Sequence, residues 1–285
     1  MKINLVADLF AADYGGGAEL TTEALMENIP VNNINRIYSH TVTEDLIQNK
    51  KNEKWIFGNY SKLNDSVMLY FAKHKLDYHV LEYDYKFCTH RSPTLHNLAV
   101  AKKCDCNTSP HGKIVSLFLA MAKNVFWMSE QQLQIYKGYF NHISKGKNTV
   151  LSSVFCQRDI KYILELNKHV LKNDQRYLIL QSSSPVKDSN AGKEYAEQND
   201  LAYEPVGNLP YFQFLRKLAS MKGLIFLPRS EDTCPRLIIE AALLNCDIRM
   251  NHFVQHQTES WFESKEKILE HMESRVDTFW GLINE

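Results

Sequence analysis

The chain has no net charge, with 33 Lys and Arg against 33 Asp and Glu in 285 residues. That balance removes any global field that would draw the molecule to nucleic acid or to an anionic membrane, and it leaves only local patches for binding anions. Long apolar runs are missing too. Nothing approaches the roughly 20 consecutive apolar residues of a membrane span, and the opening MKINLVADLF leads straight into a strand without the features of a signal peptide. A soluble, cytoplasmic protein with no membrane span is the expectation. No fixed-period repeat or low-complexity tract is visible, and the Lys- and Asn-rich pieces near 49–54 and 145–148 read as surface loops. No D-x-D motif follows a strand, so no catalytic metal is expected. Cysteine is sparse, six in all, and in an intracellular chain these thiols are expected to be reduced, which makes their clustering more informative than their number.

What the sequence does have is an alternation of strand and helix patterns, in a chain whose length and 44% hydrophobic content suffice for two ordinary domains. Residues 2–7, KINLVA, read as a buried strand, 8–14 as a turn, and Gly15, Gly16 and Gly17 lead into the helical pattern of 18–26. Glycines let a backbone approach a bound group closely, and the helix N-terminus behind them carries positive partial charge suited to a diphosphate or a sugar hydroxyl. The plain reading of the same segment is a flexible turn with no ligand. Further strands are expected at 34–38, 55–57, 78–83 and 125–128, separated by helices such as 65–75 and 114–123, which describes a Rossmann-like, doubly wound domain. Ser129, at the last of these strand ends, reads first as a helix N-cap. A second sheet is expected from strands at 150–155, 177–181 and 224–227, with helices at 159–170, 191–199 and 211–221. The tail 261–280 is helical with an apolar face.

Residues 230–244, SEDTCPRLIIEAALL, are the most informative stretch. Residues 223–228 before them form a short apolar run bounded by Gly and Pro, which is a buried strand. Leu237, Ile238, Ala241, Ala242 and Leu244 then recur at helical spacing, with Pro235 suited to the first turn, so Glu240 stands on the first or second turn behind a loop that holds Asp232. In open α/β sheets ligands bind beyond the carboxyl ends of the strands, where an acid can hold a ribose diol while helix N-terminal amides receive phosphate. Taken alone, D-x7-E more often marks a solvated loop acid and a capping acid. This stretch and the following NHFVQHQTESWF, however, resemble the signature of the large retaining glycosyltransferase family with the GT-B fold, whose hallmark is E-x7-E, and more narrowly a bacterial and phage subgroup with DTCPR-x3-EA. Asp232 stands at that family's first Glu, with Glu231 beside it, and Gly16, Gly17 and Glu19 match in kind its G-G-x-E segment.

The resemblance implies an α/β GT-B fold with two Rossmann-like domains facing a cleft: 1–148 on the acceptor side, 149–260 for the nucleotide-sugar, and a helix in 261–285 that crosses back to the first domain. It implies transfer of a sugar from a nucleotide-sugar donor, UDP- or GDP-linked, with retention of configuration. Glu240 would hold the ribose, and Asp232 or Glu231 the donor-sugar hydroxyls. Gly16 and Gly17 with Arg158 or Lys161 would stabilise the leaving diphosphate. Where the family has a Gly-rich turn this chain has Gln181 to Ser184, and the hydroxyls and amides around Ser183 can still bind phosphate. Glu19, Asp84, His90 and Arg91 fall to the acceptor side, the last three alternatively to the donor phosphates. A glycan or lipid-linked saccharide is the expected acceptor. The second reading is a hydroxymethylated base in phage DNA, which calls for a basic cleft and a flipped base, and the third is a nucleotide-sugar binder without catalysis.

Cys88, His90, His96, Cys104, Cys106 and His111 crowd one loop-like stretch containing Pro93 and Pro110. Thiolate and imidazole suit tetrahedral zinc, and a long loop gains from an internal staple. Buried free cysteines are also common, and C-x-C is not the usual knuckle spacing. The expected structural zinc ligands are Cys88, Cys104, Cys106 and either His96 or His111.

Overall fold

The computed structural model describes residues Lys2–Asn284. The chain forms two compact units, residues 1–154 with 275–285 and residues 155–274. The first unit runs β1 (Ile3–Ala7), α1 (Gly17–Met26), β2 (Ile34–Tyr38), α2 (Glu44–Asn49), β3 (Lys54–Phe57), α3 (Asp65–His74), β4 (Tyr78–Glu82), α4 (Pro93–Val100), α5 (Pro110–Met121), β5 (Asn124–Trp127), α6 (Glu130–Tyr139) and β6 (Asn148–Val150). Its six strands pair in parallel in the order β2-β1-β3-β4-β5-β6. β1, β4 and β5 are buried at every position, as parallel strands covered by helices on both faces must be. An aromatic cluster fills one layer, with Tyr78 stacked on Phe118 at 4.6 Å and Phe57 edge-on to Phe71 at 5.0 Å. Such pairs add about 0.5–1.5 kcal/mol each beyond their buried area.

The second unit runs α7 (Gln157–His169), β7 (Asp174–Leu180), α8 (Ser189–Gln198), β8 (Tyr203–Val206), α9 (Tyr211–Ser220), β9 (Met221–Phe226), α10 (Arg236–Leu243), β10 (Asp247–Met250) and the start of α11 (Lys265–Asn284). Its sheet is parallel in the order β10-β9-β7-β8. The two edge strands, β8 and β10, escape sequence reading because Pro205 and the charged Asp247 and Arg249 dilute the apolar pattern, as edge positions allow.

One expectation is corrected. Residues 150–155 do not open the second sheet: Val150 ends β6, paired opposite Trp127 in the first sheet, and 151–156 follow as buried irregular chain. The apolar run reports burial correctly, but Ser152 sits at φ 65, and a left-handed residue ends an extended strand.

The last turns of α11 belong to the first unit. There Phe279 packs on Phe126 at 4.7 Å, the Trp280 indole donates to the Leu25 carbonyl at 2.7 Å, and the Asn124 amide donates to the Leu282 carbonyl at 3.2 Å. No helix among the described residues is long and apolar enough to cross a membrane.

Candidate functional site

Each sheet reverses its winding once. In the second unit the chain leaves β7 for β8 on one side and for β9 on the other, so the loops after β7 and β9 part and leave a crevice. A cleft of about 280 Å³ opens there, lined among others by Gln181, Ser182, Ser184, Lys193 and Arg229. The serine turn is built by its own hydroxyls: Ser189 Oγ accepts from the Ser182 amide at 3.1 Å and donates to the Leu180 carbonyl at 2.7 Å, while Ser182 Oγ accepts from the Ser184 amide at 3.1 Å. Ser183 is exposed on this turn. α8 starts at the same wall, and Asp188 caps it through the Ala191 amide at 3.3 Å. Two cations, a serine turn and a helix N-terminus together suit an anionic ligand. A larger cleft of about 820 Å³, bordered by Tyr162, Asn173 and Ser220, lies at the amino ends of β7 and β9, the end that ligands of parallel sheets do not use.

Asp232 stands in the loop after β9. Its Oδ2 is 3.0 Å from Lys187 Nζ, and Lys187 itself lies over the Phe226 ring at 5.2 Å. The loop is held by the segment 251–255: the Asp232 amide donates to the Phe253 carbonyl at 2.9 Å, the Gln255 amide to the Asp232 carbonyl at 3.1 Å, and the Asn251 side chain to the Pro228 carbonyl at 2.8 Å. The clamp is made by the segment Asn251 to Gln255. Glu231 precedes it, half-buried.

Glu240 stands on the second turn of α10 and is 3% exposed. Its Oε1 accepts from the Tyr211 hydroxyl at 2.8 Å and lies 3.6 Å from Arg236 Nε, one turn back. Arg236 in turn reaches Asp159 at 3.3 Å and stacks over the Phe155 ring at 3.8 Å. Burial raises the Glu240 carboxyl above its ordinary value, and Arg236 and the Tyr211 hydroxyl pull against it. Arg158 and Lys161 are exposed on α7. Arg158 lies 3.6 Å from Asp159 and 5.4 Å over Phe212, so the cation bonded to Asp232 is Lys187 instead.

The first unit reverses between β1 and β3, and a charged cluster gathers at that point. Asp8 follows β1 and accepts from the amides of Ser61 and Lys62 at 2.8 and 2.9 Å. Glu19, on the first turn of α1, is 6% exposed; burial pushes its carboxyl up, while Asn59 and Arg91 pull it down. A side chain at Gly16 would collide with the Glu19 carboxylate and the Tyr14 ring, so glycine there makes room for the acid. Gly17 begins α1. Arg91 donates to Asn59 Oδ1 at 3.0 Å and pairs with Asp84. Burial alone would raise Asp84, but Lys86 and Arg91 outweigh it and hold the carboxyl below its ordinary value. His90 is not part of this cluster; it is exposed and meets the His96 ring edge-on at 5.3 Å.

Of the residues the sequence pointed to, the structure brings together Glu19, Asp84 and Arg91 and, separately, Cys88, His96, Cys104 and Cys106. His111 goes elsewhere, with Nδ1 on Asp65 at 2.7 Å and Nε2 on the Lys86 carbonyl at 3.0 Å. Sequence reasoning missed Asp8, Asn59, Lys187, Lys193, Tyr211 and Arg229. Arg229 carried a usable signal, a cation just after Pro228 at a strand's carboxyl end. Lys187 carried none.

No family model matches the chain, and no curated protein matches it in sequence. Solved structures do match in fold over nearly its whole length. Trehalose-6-phosphate synthase OtsA is 7% identical with a TM-score of 0.60, covering 99% of this chain and 96% of the other; the enzyme from E. coli bound with UDP-2-fluoro glucose gives 7%, 0.58 and the same coverage. HepE from Anabaena in complex with UDP and glucose is 12% identical with a TM-score of 0.54, covering 100% and 98%. An α-glucosyltransferase in complex with UDP and a 13-mer DNA containing an HMU base is 6% identical with a TM-score of 0.50, covering 98% and 91%. The chain thus has the α/β fold of these GT-B glycosyltransferases, with two parallel, doubly wound units and a last helix whose end returns to the first unit.

Proposed function

We propose that the protein is a glycosyltransferase that moves a sugar from a nucleotide-sugar donor, UDP- or GDP-linked, to an acceptor with retention of configuration. The observation that carries this reading is the cleft at the β7/β9 reversal, where Lys193, Arg229 and the α8 N-terminus stand beside the Lys187–Asp232 pair. The donor diphosphate lies in that cleft, with Arg158 or Lys161 as a further contact. Its charge grows as the glycosidic bond breaks, and preorganised cations and amides stabilise that charge, usually the largest single catalytic contribution. Asp232 or Glu231 orients the donor-sugar hydroxyls, and Glu240 with Tyr211 receives the ribose. In the first unit Glu19, Asp84 and Arg91 serve the acceptor side. A phosphate oxygen of the leaving group accepts the acceptor's proton, so no separate base is required.

A glycan or lipid-linked saccharide is the acceptor of this reading. Hydroxymethylated DNA is the second, favoured by the likeness to the glucosyltransferase held with DNA. Calorimetry with UDP, GDP and their sugars, followed by mass spectrometry of reactions with saccharide and hydroxymethylated-DNA acceptors, tests both. Binding without turnover on any acceptor leaves a nucleotide-sugar binder. Failure of the folded protein to bind any nucleoside diphosphate removes the proposal.

A further inference from the structure

The geometry points to a closed, structural zinc site in the first unit, with Cys88, His96, Cys104 and Cys106 as its four ligands. With Zn–S bonds of about 2.3 Å and Zn–N bonds of about 2.0 Å, a tetrahedral centre holds its ligand atoms about 3.5–3.8 Å apart. Here Cys88 Sγ lies 3.7 Å from Cys104 Sγ and 3.8 Å from His96 Nδ1, and Cys106 Sγ lies 3.3 Å from His96 Nδ1. All four donor atoms fall within 4.8 Å of one another. The cysteines are free thiols, and a sulfur separation of 3.7 Å is far beyond the roughly 2.05 Å of a disulfide. Three thiolates and one imidazole form a donor set suited to zinc. All four residues are buried, and four protein ligands complete a tetrahedron, so no position is left for water or substrate and the site is structural.

The surrounding chain shows what the metal does. α4, which carries His96, buries only Pro93, Leu95 and His96, while Leu98 and Val100 are exposed; apolar packing does little to hold it. Two non-glycine residues of the segment, Arg91 at φ 56 and Ala101 at φ 53, occupy the left-handed region, which is sparsely populated for such residues and persists where the surroundings enforce it. A side chain at Gly112 would collide with the Cys106 carbonyl, so α5 is pressed against the ligand turn. The amide of Arg91 donates to the Cys88 carbonyl at 2.8 Å, so fixing Cys88 fixes the turn that presents Arg91 to Asp84 and Asn59. The zinc staple ties the loop after β4, α4 and the turn before α5 to one another, and the inference stands independently of the sugar-transfer reading.

Protein purified without chelator or a metal-affinity tag should contain about one zinc per chain by plasma mass spectrometry. Cobalt added to the zinc-depleted protein should give the visible absorption of a tetrahedral thiolate centre. Cys104→Ser and Cys106→Ser should lose most of the zinc, and His111→Ala should keep it. Removing zinc from the unmutated protein should raise amide exchange across 85–112 and leave 155–274 unchanged, a readout that does not require the cysteine variants to fold. Absence of zinc, together with no cobalt–thiolate absorption in the folded protein, overturns the inference. Metal retained by both Cys→Ser variants at full occupancy overturns it as well.

Discussion

Glu240 shows how a residue can be legible in type and position while its surroundings are not. Its helix register is fixed by the spacing of Leu237, Ile238 and Ala241, but Tyr211, which donates to it, and Asp159, which pairs with the neighbouring Arg236, are 29 and 81 positions away in the sequence, and no periodicity links them. The partners decide which substitution is informative. Glu240→Ala would leave Arg236, buried beside Asp159, with a lost counter-charge, and stability would fall along with any binding. Glu240→Gln keeps an acceptor for the Tyr211 hydroxyl and removes the charge; it is expected to stay folded and to weaken nucleotide affinity by about tenfold or more, the range of a lost charge-assisted hydrogen bond. Calorimetry checks it, and unchanged affinity would end the ribose assignment. Lys187 was illegible for a similar reason, lying 45 positions from Asp232. Lys187→Met should lower kcat/KM by roughly tenfold to a hundredfold, with Arg158→Ala made alongside. A larger loss in the Arg158 variant would show that α7 contributes more to transfer than the Lys187–Asp232 pair.

At the scale of elements, the interior strands and the edge strand β2 announced themselves, and the edge strands β8 and β10 did not. β1 and β4 are buried at every position and β9 ends in the apolar run Leu224 to Phe226, whereas β8 holds Pro205 and β10 alternates charge with apolar residues. The segment between β10 and α11 contains a titrating element that sequence reading did not single out. His256, in the turn 255–258, is fully buried, stacks on Trp261 at 5.3 Å, and has no hydrogen-bond partner for either ring nitrogen among the described residues. Burial, aided by His271, pushes its pKa down to about 3. In the first unit, burial and the nearby Lys54 and Lys123 push His79 down to about 4. The unfolded chain therefore binds more protons than the folded one between these values and the ordinary histidine pKa of about 6.5. The stabilisation is fully present above about pH 6.5 and is lost progressively as pH falls toward 4. His256→Phe, which keeps a ring against Trp261 and cannot take up a proton, should leave the melting temperature at pH 7.5 nearly unchanged and flatten its decline between pH 6.5 and 4.5. Melting curves across that range measure it, and a variant whose acid slope matches the parent would show that His256 does not control the loss.

For the whole molecule, the fold class was legible because it depends on the alternation of strands and helices along the chain, and the fold is shared with solved structures of only 6–12% identity. The apolar run at 150–155 gave its burial and not its sheet. Each unit has one winding reversal with its own charged cluster, and this separates the metal question into two. The cysteine and histidine cluster proposed as a closed site belongs to the first unit, and the cleft proposed for the diphosphate belongs to the second. Stabilisation of the leaving diphosphate is assigned to Lys193, Arg229, the serine turn and the α8 N-terminus, none of which needs a divalent ion. Buried zinc held by four protein ligands should leave slowly, so EDTA added at the start of a short assay is expected to leave turnover of donor and acceptor largely intact, and added magnesium should change it little. Prolonged chelation should instead erode stability and activity together as the staple is lost. Immediate loss of turnover in a fully folded protein, reversed by magnesium or manganese and not by zinc, would place a metal in the chemical step and take the diphosphate out of the cleft proposed for it.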